Sequence, residues 1–287
     1  MKNFCIITNN NKDKDYVLSK KIEGFITEKG GTCFISENSD LTDEKYNYTN
    51  PDKMPENLEC VITIGGDGTL LQAAQDLMSK DIVFLGINKG TLGFLAEVSV
   101  EDIEDALYRL LMDDFKIESR MMLKGTIIRN DKEIYSASVL NDIVIHRGAD
   151  IRISDFYVHV NNQLLGKFQA DGIILSTPTG STAYNLSAGG GPIARPNSNL
   201  IILTPICAHS IGQRSIVLSD EDKIEVTIGT CKNPKGEFRR ISFDGDNIVE
   251  VESGDVIAIE KSQVSTKLVK LDDSSFLQTV KKKMGDK

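Results

Sequence analysis

The chain has 287 residues, of which 33 are Lys or Arg and 42 are Asp or Glu, and its formal net charge of −9 disfavours nonspecific binding to nucleic acid or to a membrane surface, where clustered basic side chains are needed. Hydrophobic residues make up 40% and charged residues 26% of it, as in globular proteins of one large or two ordinary domains. No apolar stretch reaches the roughly 18 residues of a membrane span, and the N-terminus turns polar too early for a signal peptide.

The predicted elements of the first 113 residues alternate between strand and helix. Apolar runs at 4–8, 32–36, 60–64 and 82–88 predict strands. Apolar residues at helical spacing, such as Ile103, Ala106, Leu107, Leu110 and Leu111, predict a helix after each of several strands. We expect Ser99, with Asp102 three residues on, to be the N-cap of the last of these helices, and we interpret 37–59 as a loop. The alternation predicts an α/β domain over 1–113 with a parallel sheet and ligands at the carboxyl ends of its strands.

The pattern changes after residue 113. Short β-branched runs bounded by turn residues, among them DIVIHR, ADGIILS and LIILTPI, predict a β-rich, sandwich-like domain over 114–270. The tail at 271–287 is predicted to be helical, with basic residues near its C-terminal end.

The cysteines indicate the compartment. They are odd in number, widely spaced and free of any CxxC pair, and most lie in or beside apolar runs: Cys5, Cys33, Cys60, Cys207 and Cys231. Free cysteine in such surroundings behaves as a small hydrophobic residue. We therefore expect a reducing, cytoplasmic environment. With only three histidines in the chain, we expect no zinc site.

The segment GGDGT at 65–69 follows a predicted strand and precedes a predicted helix. Glycines let the backbone approach a phosphate closely, and a helix N-terminus carries positive potential. Asp67 is the unusual member, because a carboxylate beside phosphates must hold a cation or accept a proton from a hydroxyl. The alternative is a turn residue that caps the helix. The Walker pattern GxxxxGK[ST] is absent, which excludes a P-loop.

Other segments also suit a nucleotide. NKGTLGFL at 88–95 follows the next strand, DGIILSTPTGSTAY at 171–184 opens a run from 173 to 194 without a charged residue, and Asn141-Asp142 precedes another strand. Backbone N–H groups and hydroxyls suit phosphate and ribose oxygens. The alternatives are a packed glycine turn, a flexible linker and a turn pair. Because GGDGT and the 171–184 segment lack Lys and Arg, we expect a divalent metal, Mg²⁺, to neutralise the phosphate charge.

In this order the motifs GGDGT, NKGTLGFL, the Asn-Asp pair, DGIILSTPTGSTAYNLSAGGGP and TPICAHS resemble the NAD kinases, and the likeness extends over nearly the whole chain. GGDGT also occurs in lipid kinases and, in related form, in phosphofructokinases, whereas TPTGSTAY is much more specific. The resemblance implies an enzyme that transfers the terminal phosphate of ATP, or of another nucleoside triphosphate, to the 2′-hydroxyl of the adenosine ribose of NAD, giving NADP with a divalent metal.

Carried over by position, the resemblance implies that Asp67 is the catalytic general base and that Asn141 and Asp142 bind the adenosine portion, although Glu is commoner at 142. It places Asp171 near the nicotinamide end of the substrate. The other binding residues that we predict are Gly66, Gly68, Thr69, Asn88, Phe94, Arg152, Gln169, Thr182, Ala183, Tyr184, Asn185, Leu186, Ser187 and Asp246.

Two of these residues depart from the family pattern. Gln169 stands where many members have Arg, and Asp246 stands where Gln or His is usual. Bacterial members are commonly homotetramers, so we expect a homo-oligomer, either a tetramer or a dimer. Two rival functions are a lipid kinase, whose substrate would need an apolar entrance, and a non-catalytic dinucleotide-binding regulator. Turnover of diacylglycerol or a lack of turnover of NAD would identify them.

Overall fold

The structure is a computed structural model that describes residues 1–8, 12–36, 49–90, 93–96, 98–148, 153–189, 191–210, 212–229, 239–271 and 276–285. The predicted contact Arg152, Cys231 and most of the predicted loop at 37–59 lie outside these ranges.

The elements in chain order are as follows. The α-helices are α1 (Val17–Glu28), α2 (Asp67–Asp76), α3 (Ile103–Leu111), α4 (Tyr184–Ser187) and α5 (Phe276–Met284). The strands are β1 (Asn3–Thr8), β2 (Thr32–Ile35), β3 (Cys60–Gly65), β4 (Val83–Asn88), β5 (Val98–Ser99), β6 (Lys116–Arg129), β7 (Lys132–Val139), β8 (Asp142–His146), β9 (Ser154–Val160), β10 (Gln163–Ala170), β11 (Gly172–Ser176), β12 (Leu200–Ile206), β13 (Ile216–Ser219), β14 (Ile224–Ile228), β15 (Arg239–Phe243), β16 (Asp246–Val251) and β17 (Val256–Lys270).

The chain forms two compact units. The first contains Met1–Ser119 and Thr266–Lys287, and the second contains Arg120–Ser265. The chain therefore passes from one unit to the other within strand β6 and returns within strand β17.

The first unit is built on a parallel sheet. Its strands lie in the order β17, β4, β3, β1, β2, with the short β5 also paired to β4, and every pairing is parallel. Strands β1, β3 and β4 are buried along almost their whole length, as expected for apolar runs covered on both faces. This architecture places the GGDGT motif at the carboxyl end of β3, where the strand is joined to helix α2.

Helix α3 shows how the sequence pattern determines packing. The five apolar residues predicted for its stripe are all buried, and each of the four larger ones, an isoleucine and three leucines, contributes about 1.5–3 kcal/mol of apolar burial. The helix begins at Ile103 with Asp102 as its N-cap residue. The prediction that Ser99 is the N-cap was therefore wrong: Ser99 ends strand β5, and its hydroxyl donates a hydrogen bond to the Asp102 carboxylate at 2.6 Å.

The second unit contains two largely antiparallel sheets. One has the strand order β13, β12, β11, β8, β15, β16; the other has β10, β9, β14 and β17, with β6 paired to β17 and to β7. Buried side chains from both sheets, such as Ile143 and Leu175 from one and Phe156 and Val226 from the other, form one hydrophobic core. This arrangement confirms the prediction of an α/β part followed by a β-rich, sandwich-like part and a C-terminal helix.

The cysteines of the first unit are free thiols in apolar surroundings. Burial raises the pKa of the Cys5 and Cys33 thiols to about 12 and raises that of Cys60 as well, so these groups stay protonated and pack as small hydrophobic side chains. Cys207, in the second unit, is free and exposed. Among the described residues, no helix is both long and apolar enough to cross a membrane.

Candidate active site

Asp67 is the first residue of helix α2, directly beyond the carboxyl end of β3. The extended conformation of Gly66 (φ −137°, ψ −170°) turns the chain from strand to helix, and Leu70, Ala73 and Ala74 fix the helix by burying one face. The fold therefore holds the carboxylate at the edge of the parallel sheet where ligands of such sheets bind.

Three backbone N–H groups donate to the Asp67 carboxylate. The N–H of Phe94 lies 2.7 Å from Oδ2, and those of Leu95 and Ala96 lie 3.0 and 2.9 Å from Oδ1. Gly93 makes this approach possible, because a Cβ built on it would lie only 1.8 Å from Asp67 Oδ1. The segment 93–96 and Asp67 thus form one unit, which we call the carboxylate cradle.

The cradle leaves one oxygen of Asp67 less occupied than the other. A carboxylate has about four lone-pair positions, of which Oδ1 uses two and Oδ2 one in the cradle. Among the residues that the structure describes, Oδ2 is therefore the oxygen with capacity for a further donor, such as a substrate hydroxyl. The helix-cap alternative does not describe this geometry, since the carboxylate binds N–H groups of a different loop.

The other predicted binding residues of the first unit that lie near Asp67 differ in how exposed they are. Gly68 is exposed on the first turn of α2, and a Cβ built on it would meet nothing within 4 Å. Gly66 and Thr69 are half-buried, whereas Asn88 is buried at the carboxyl end of β4. Gly68 is thus accessible to a ligand from solvent, while Asn88 is buried beneath the loop surface.

Phe94 has contacts beyond its hydrogen bond to Asp67. Its ring lies 6.3 Å from that of Phe276 in helix α5, and the Lys283 ammonium lies 4.4 Å from its centroid. In the structure α5 therefore packs against the ring that we predicted as a wall for a nucleobase, and that role stays a prediction.

Asn141 and Asp142 are organised by Asp244, which sequence analysis had not selected. The Asp244 carboxylate accepts the N–H groups of Leu140, Asn141 and Asp142 at 2.7, 2.7 and 3.0 Å, and the Asp244 N–H donates back to the Asp142 carbonyl at 3.0 Å. Asp244 and Gly245 both have positive φ (55° and 83°) in the β15–β16 hairpin turn, as Asp-Gly turns do. The turn thus fixes the backbone that presents both predicted contacts.

Asp142 is buried next to this second carboxylate. Burial, and then the charge of Asp244, raise the pKa of Asp142 from 3.8 to about 7. Tyr184 lies close enough that burial, followed by the charges of Cys207 and Asp142, raises the pKa of its phenol. Asp142 therefore changes its charge close to neutral pH, and two predicted site residues share this electrostatic environment.

The predicted lining segment from Thr182 to Ser187 has an inner and an outer side. Asn185 is buried: its amide donates to the Ser181 carbonyl at 3.3 Å, and its carbonyl accepts the Thr204 hydroxyl at 2.6 Å. Tyr184 (42% exposed) and Ser187 face outward, and Ala183 and Leu186 are half-buried. Thr182 donates to the Thr179 carbonyl at 3.2 Å. The open side of this segment is therefore formed by Tyr184 and Ser187, while Asn185 anchors it.

Three further candidates are already engaged in polar contacts or turns. Asp171 forms an ion pair with Arg147 at 2.8 Å, and the Gln169 amide donates to Asp155 at 2.9 Å. Asp246 lies beside the Asp244-Gly245 turn, in register with Phe243. Sequence reasoning missed Arg147, Gly93 and Asp244, although the Asp-Gly pair was a recognisable turn signal.

Comparison with known proteins agrees with this architecture. Residues 4–115 match the ATP-NAD kinase N-terminal domain, and residues 140–271 match the ATP-NAD kinase C-terminal domain. The NAD kinase of Lachnospira eligens is 43% identical over 99% of this chain and 100% of its own length. That of Lachnoclostridium phytofermentans is 40% identical over the full length of both chains.

Solved structures share the fold. Yeast NADH kinase, in a complex with NADH, aligns with a TM-score of 0.86 and 23% identity over 100% of this chain and 88% of its own. An NAD kinase from Archaeoglobus fulgidus, in a complex with ATP, aligns with a TM-score of 0.75 and 25% identity over 97% and 96% of the two chains. With its two matched domains and its full-length relatives, the chain belongs to the NAD kinase family of enzymes.

Proposed function

We propose that this NAD kinase transfers the terminal phosphate of ATP to the 2′-hydroxyl of the adenosine ribose of NAD, with Asp67 holding the hydroxyl and accepting its proton. The observation that carries the proposal is the carboxylate cradle, which fixes Asp67 at the helix start and leaves Oδ2 with capacity for one more donor. Phosphoryl transfer depends mainly on positioning and charge stabilisation, and a rigidly held carboxylate serves both.

The adenosine portion is proposed to bind at Asn141 and Asp142. Asp244 fixes the backbone of both residues through three hydrogen bonds, so the site is ordered before the ligand arrives. The amide of Asn141 can donate and accept at once, as an adenine edge requires. Tyr184 and Ser187, on the open side of the lining segment, offer hydroxyls to the dinucleotide.

Mg²⁺ is proposed to arrive with ATP. In the described part of the chain, no three His, Cys, Asp or Glu side chains converge to hold a metal, and Mg²⁺ on a nucleotide commonly needs only one or two protein carboxylates. Because the remaining acceptor position of Asp67 is assigned to the substrate hydroxyl, the ion is proposed to be held chiefly by the phosphate oxygens and water. When bound, the ion would neutralise charge on the phosphates. A homo-oligomer, either a tetramer or a dimer, and a cytoplasmic location are further proposals that rest on the resemblance and on the free cysteines.

A coupled assay tests the function. Purified protein is incubated with NAD, ATP and Mg²⁺, and NADP is measured with an NADP-specific dehydrogenase. We expect NADP to form only when all three are present. Absence of NADP would overturn the proposal, and phosphorylation of diacylglycerol in a parallel reaction would favour the lipid-kinase alternative.

A further inference from the structure

The GGDGT loop at 65–69, in the first unit, has a basic residue beside it, Lys12, that lies outside the motif in sequence. A Cβ built on Gly66 would lie 3.6 Å from the Lys12 ammonium, and one built on Gly90 would lie 3.4 Å from it. Lys12 therefore stands between the GGDGT loop and the NKG turn that follows β4. The GGDGT loop itself contains no Lys or Arg, so the Lys12 ammonium adds a positive charge beside it.

The backbone next to Lys12 is anchored by the following residue, Asp13. The buried Asp13 carboxylate accepts the N–H groups of Leu18 and Ser19 at 2.9 and 3.0 Å and the Ser19 hydroxyl at 2.6 Å. These bonds tie the chain at Asp13 to the first turn of α1. Burial alone would raise the pKa of Asp13, but the bonds from Ser19 and Leu18, together with the nearby charge of Lys89, lower it. The carboxylate thus stays ionised as an anchor.

The surroundings of the ammonium suit an anion. Lys12 is exposed, and its Nζ lies beside two loop positions that carry no side chain. An anion seated there can contact the ammonium and the loop backbone together. The adjacent N-terminus of α2 adds positive potential, and Lys89, close enough to Asp13 to act on its charge, adds a second cation to this side of the unit.

We propose that Lys12 binds the triphosphate of ATP and places the phosphate to be transferred beside Asp67. This inference rests on the proposed function. Lysine is a compact charge that suits phosphate oxygens. Gly66 directly precedes Asp67, and the phosphorus must lie within roughly 3–3.5 Å of the hydroxyl that attacks it. The diphosphate of NAD offers the same chemistry, but it is not the group that must meet this carboxylate, so we assign Lys12 to ATP.

The test compares Lys12→Gln and Lys12→Arg with Lys20→Gln, which removes an equal charge from an exposed position of α1. Steady-state rates are measured with ATP and NAD varied separately. For Lys12→Gln we expect kcat/KM for ATP to fall about 10-fold to 100-fold, as for loss of a charge-assisted hydrogen bond, with KM for NAD changed less than about two-fold. Lys12→Arg should recover part of the loss, and Lys20→Gln should match the parent chain.

Direct titration separates this inference from the proposed function. ATP is titrated into each protein in the absence of NAD at low and high salt, and thermal unfolding checks that the variants are folded. Weaker ATP binding with a shallower salt dependence in Lys12→Gln supports the assignment, even if the parent chain forms no NADP. Unchanged ATP binding overturns it, and so does a rise confined to KM for NAD, which would place the ammonium on the dinucleotide.

Discussion

Replacement of Asp67 by Asn tests the carboxylate cradle directly. The Asn carbonyl can keep the two bonds from Leu95 and Ala96, but its amide then faces the Phe94 N–H, where Oδ2 now accepts at 2.7 Å. One hydrogen bond is lost and two donors meet, so we expect unfolding of the first unit to become easier by about 1–3 kcal/mol. A variant with no proton acceptor should also lose about 10²–10⁴ in turnover, or roughly 3–5 kcal/mol of barrier.

The assay combines kcat and KM for both substrates with urea unfolding. Asp81→Asn is a matched control, because it removes the same charge from an exposed ion pair with Lys267, which contributes about 0–1 kcal/mol. Gly93→Ala is the complementary variant: it keeps the carboxylate, but its Cβ would lie 1.8 Å from Oδ1, so it should lower kcat by displacing Asp67. A loss of only a few-fold in Asp67→Asn, with full activity in Gly93→Ala, would refute the role given to the cradle.

Three further outcomes are expected. Gly68→Ala should be no less stable than the parent, since Ala is favoured over Gly within helices by roughly 0.5–1 kcal/mol and its Cβ would meet nothing within 4 Å. If Gly68 touches substrate, kcat/KM should nevertheless fall at least about 10-fold. Unchanged kinetics would exclude that contact. Because the pKa of Asp142 is raised from 3.8 to about 7, the folded chain binds the proton of this carboxyl more tightly than the unfolded chain does. The free energy of unfolding should therefore decline from about pH 4 to pH 7. Asp142→Asn should flatten that decline, as measured by urea unfolding at a series of pH values. NADP formation should stop in excess EDTA and return with Mg²⁺; full activity in EDTA would contradict the metal requirement.

The fold was predictable where local pattern and tertiary packing agree. The stripe of α3 and the buried runs of β1, β3 and β4 are examples. Strand β10 escaped prediction because Leu164 and Leu165 are both exposed and the pairing shifts between Leu164 and Gly166, which breaks the alternation that identifies a strand. Strand β10 is defined by its backbone pairing with β9 rather than by a side-chain pattern.

The site was predictable only in part for a similar reason. Asp67 was recognisable from its place between a strand and a helix, and its neighbours followed from motif and resemblance. The N–H groups that hold it come from 94–96, and those that meet Asp244 come from 140–142, far away in sequence. Backbone donors leave no trace in residue type, so neither arrangement could be read from spacing. Lys12 was overlooked because it is far from Gly66 and Gly90 in sequence, and the fold is what brings its ammonium close to these two positions.

The division of the chain has a consequence for synthesis on the ribosome. The second unit is one continuous segment, Arg120–Ser265, whereas the first needs both Met1–Ser119 and Thr266–Lys287. Strand β4 pairs with β17 through Lys267 and Leu268, and the Arg109 guanidinium donates to the Leu271 carbonyl. The first unit therefore cannot be completed until residues 266–271 are translated and leave the exit tunnel, while the second can fold earlier.

The cradle around Asp67 belongs to that late-finishing unit, although Asp67 itself lies in the first quarter of the chain. The intervening segment Arg120–Ser265 separates the two parts of the first unit along the chain, so a compact second unit leaves a shorter flexible loop for the first unit to close. We therefore expect the surroundings of Asp67 to become ordered late in synthesis, and chains that stop short of residue 266 would carry the GGDGT motif without strand β17, which pairs with β4.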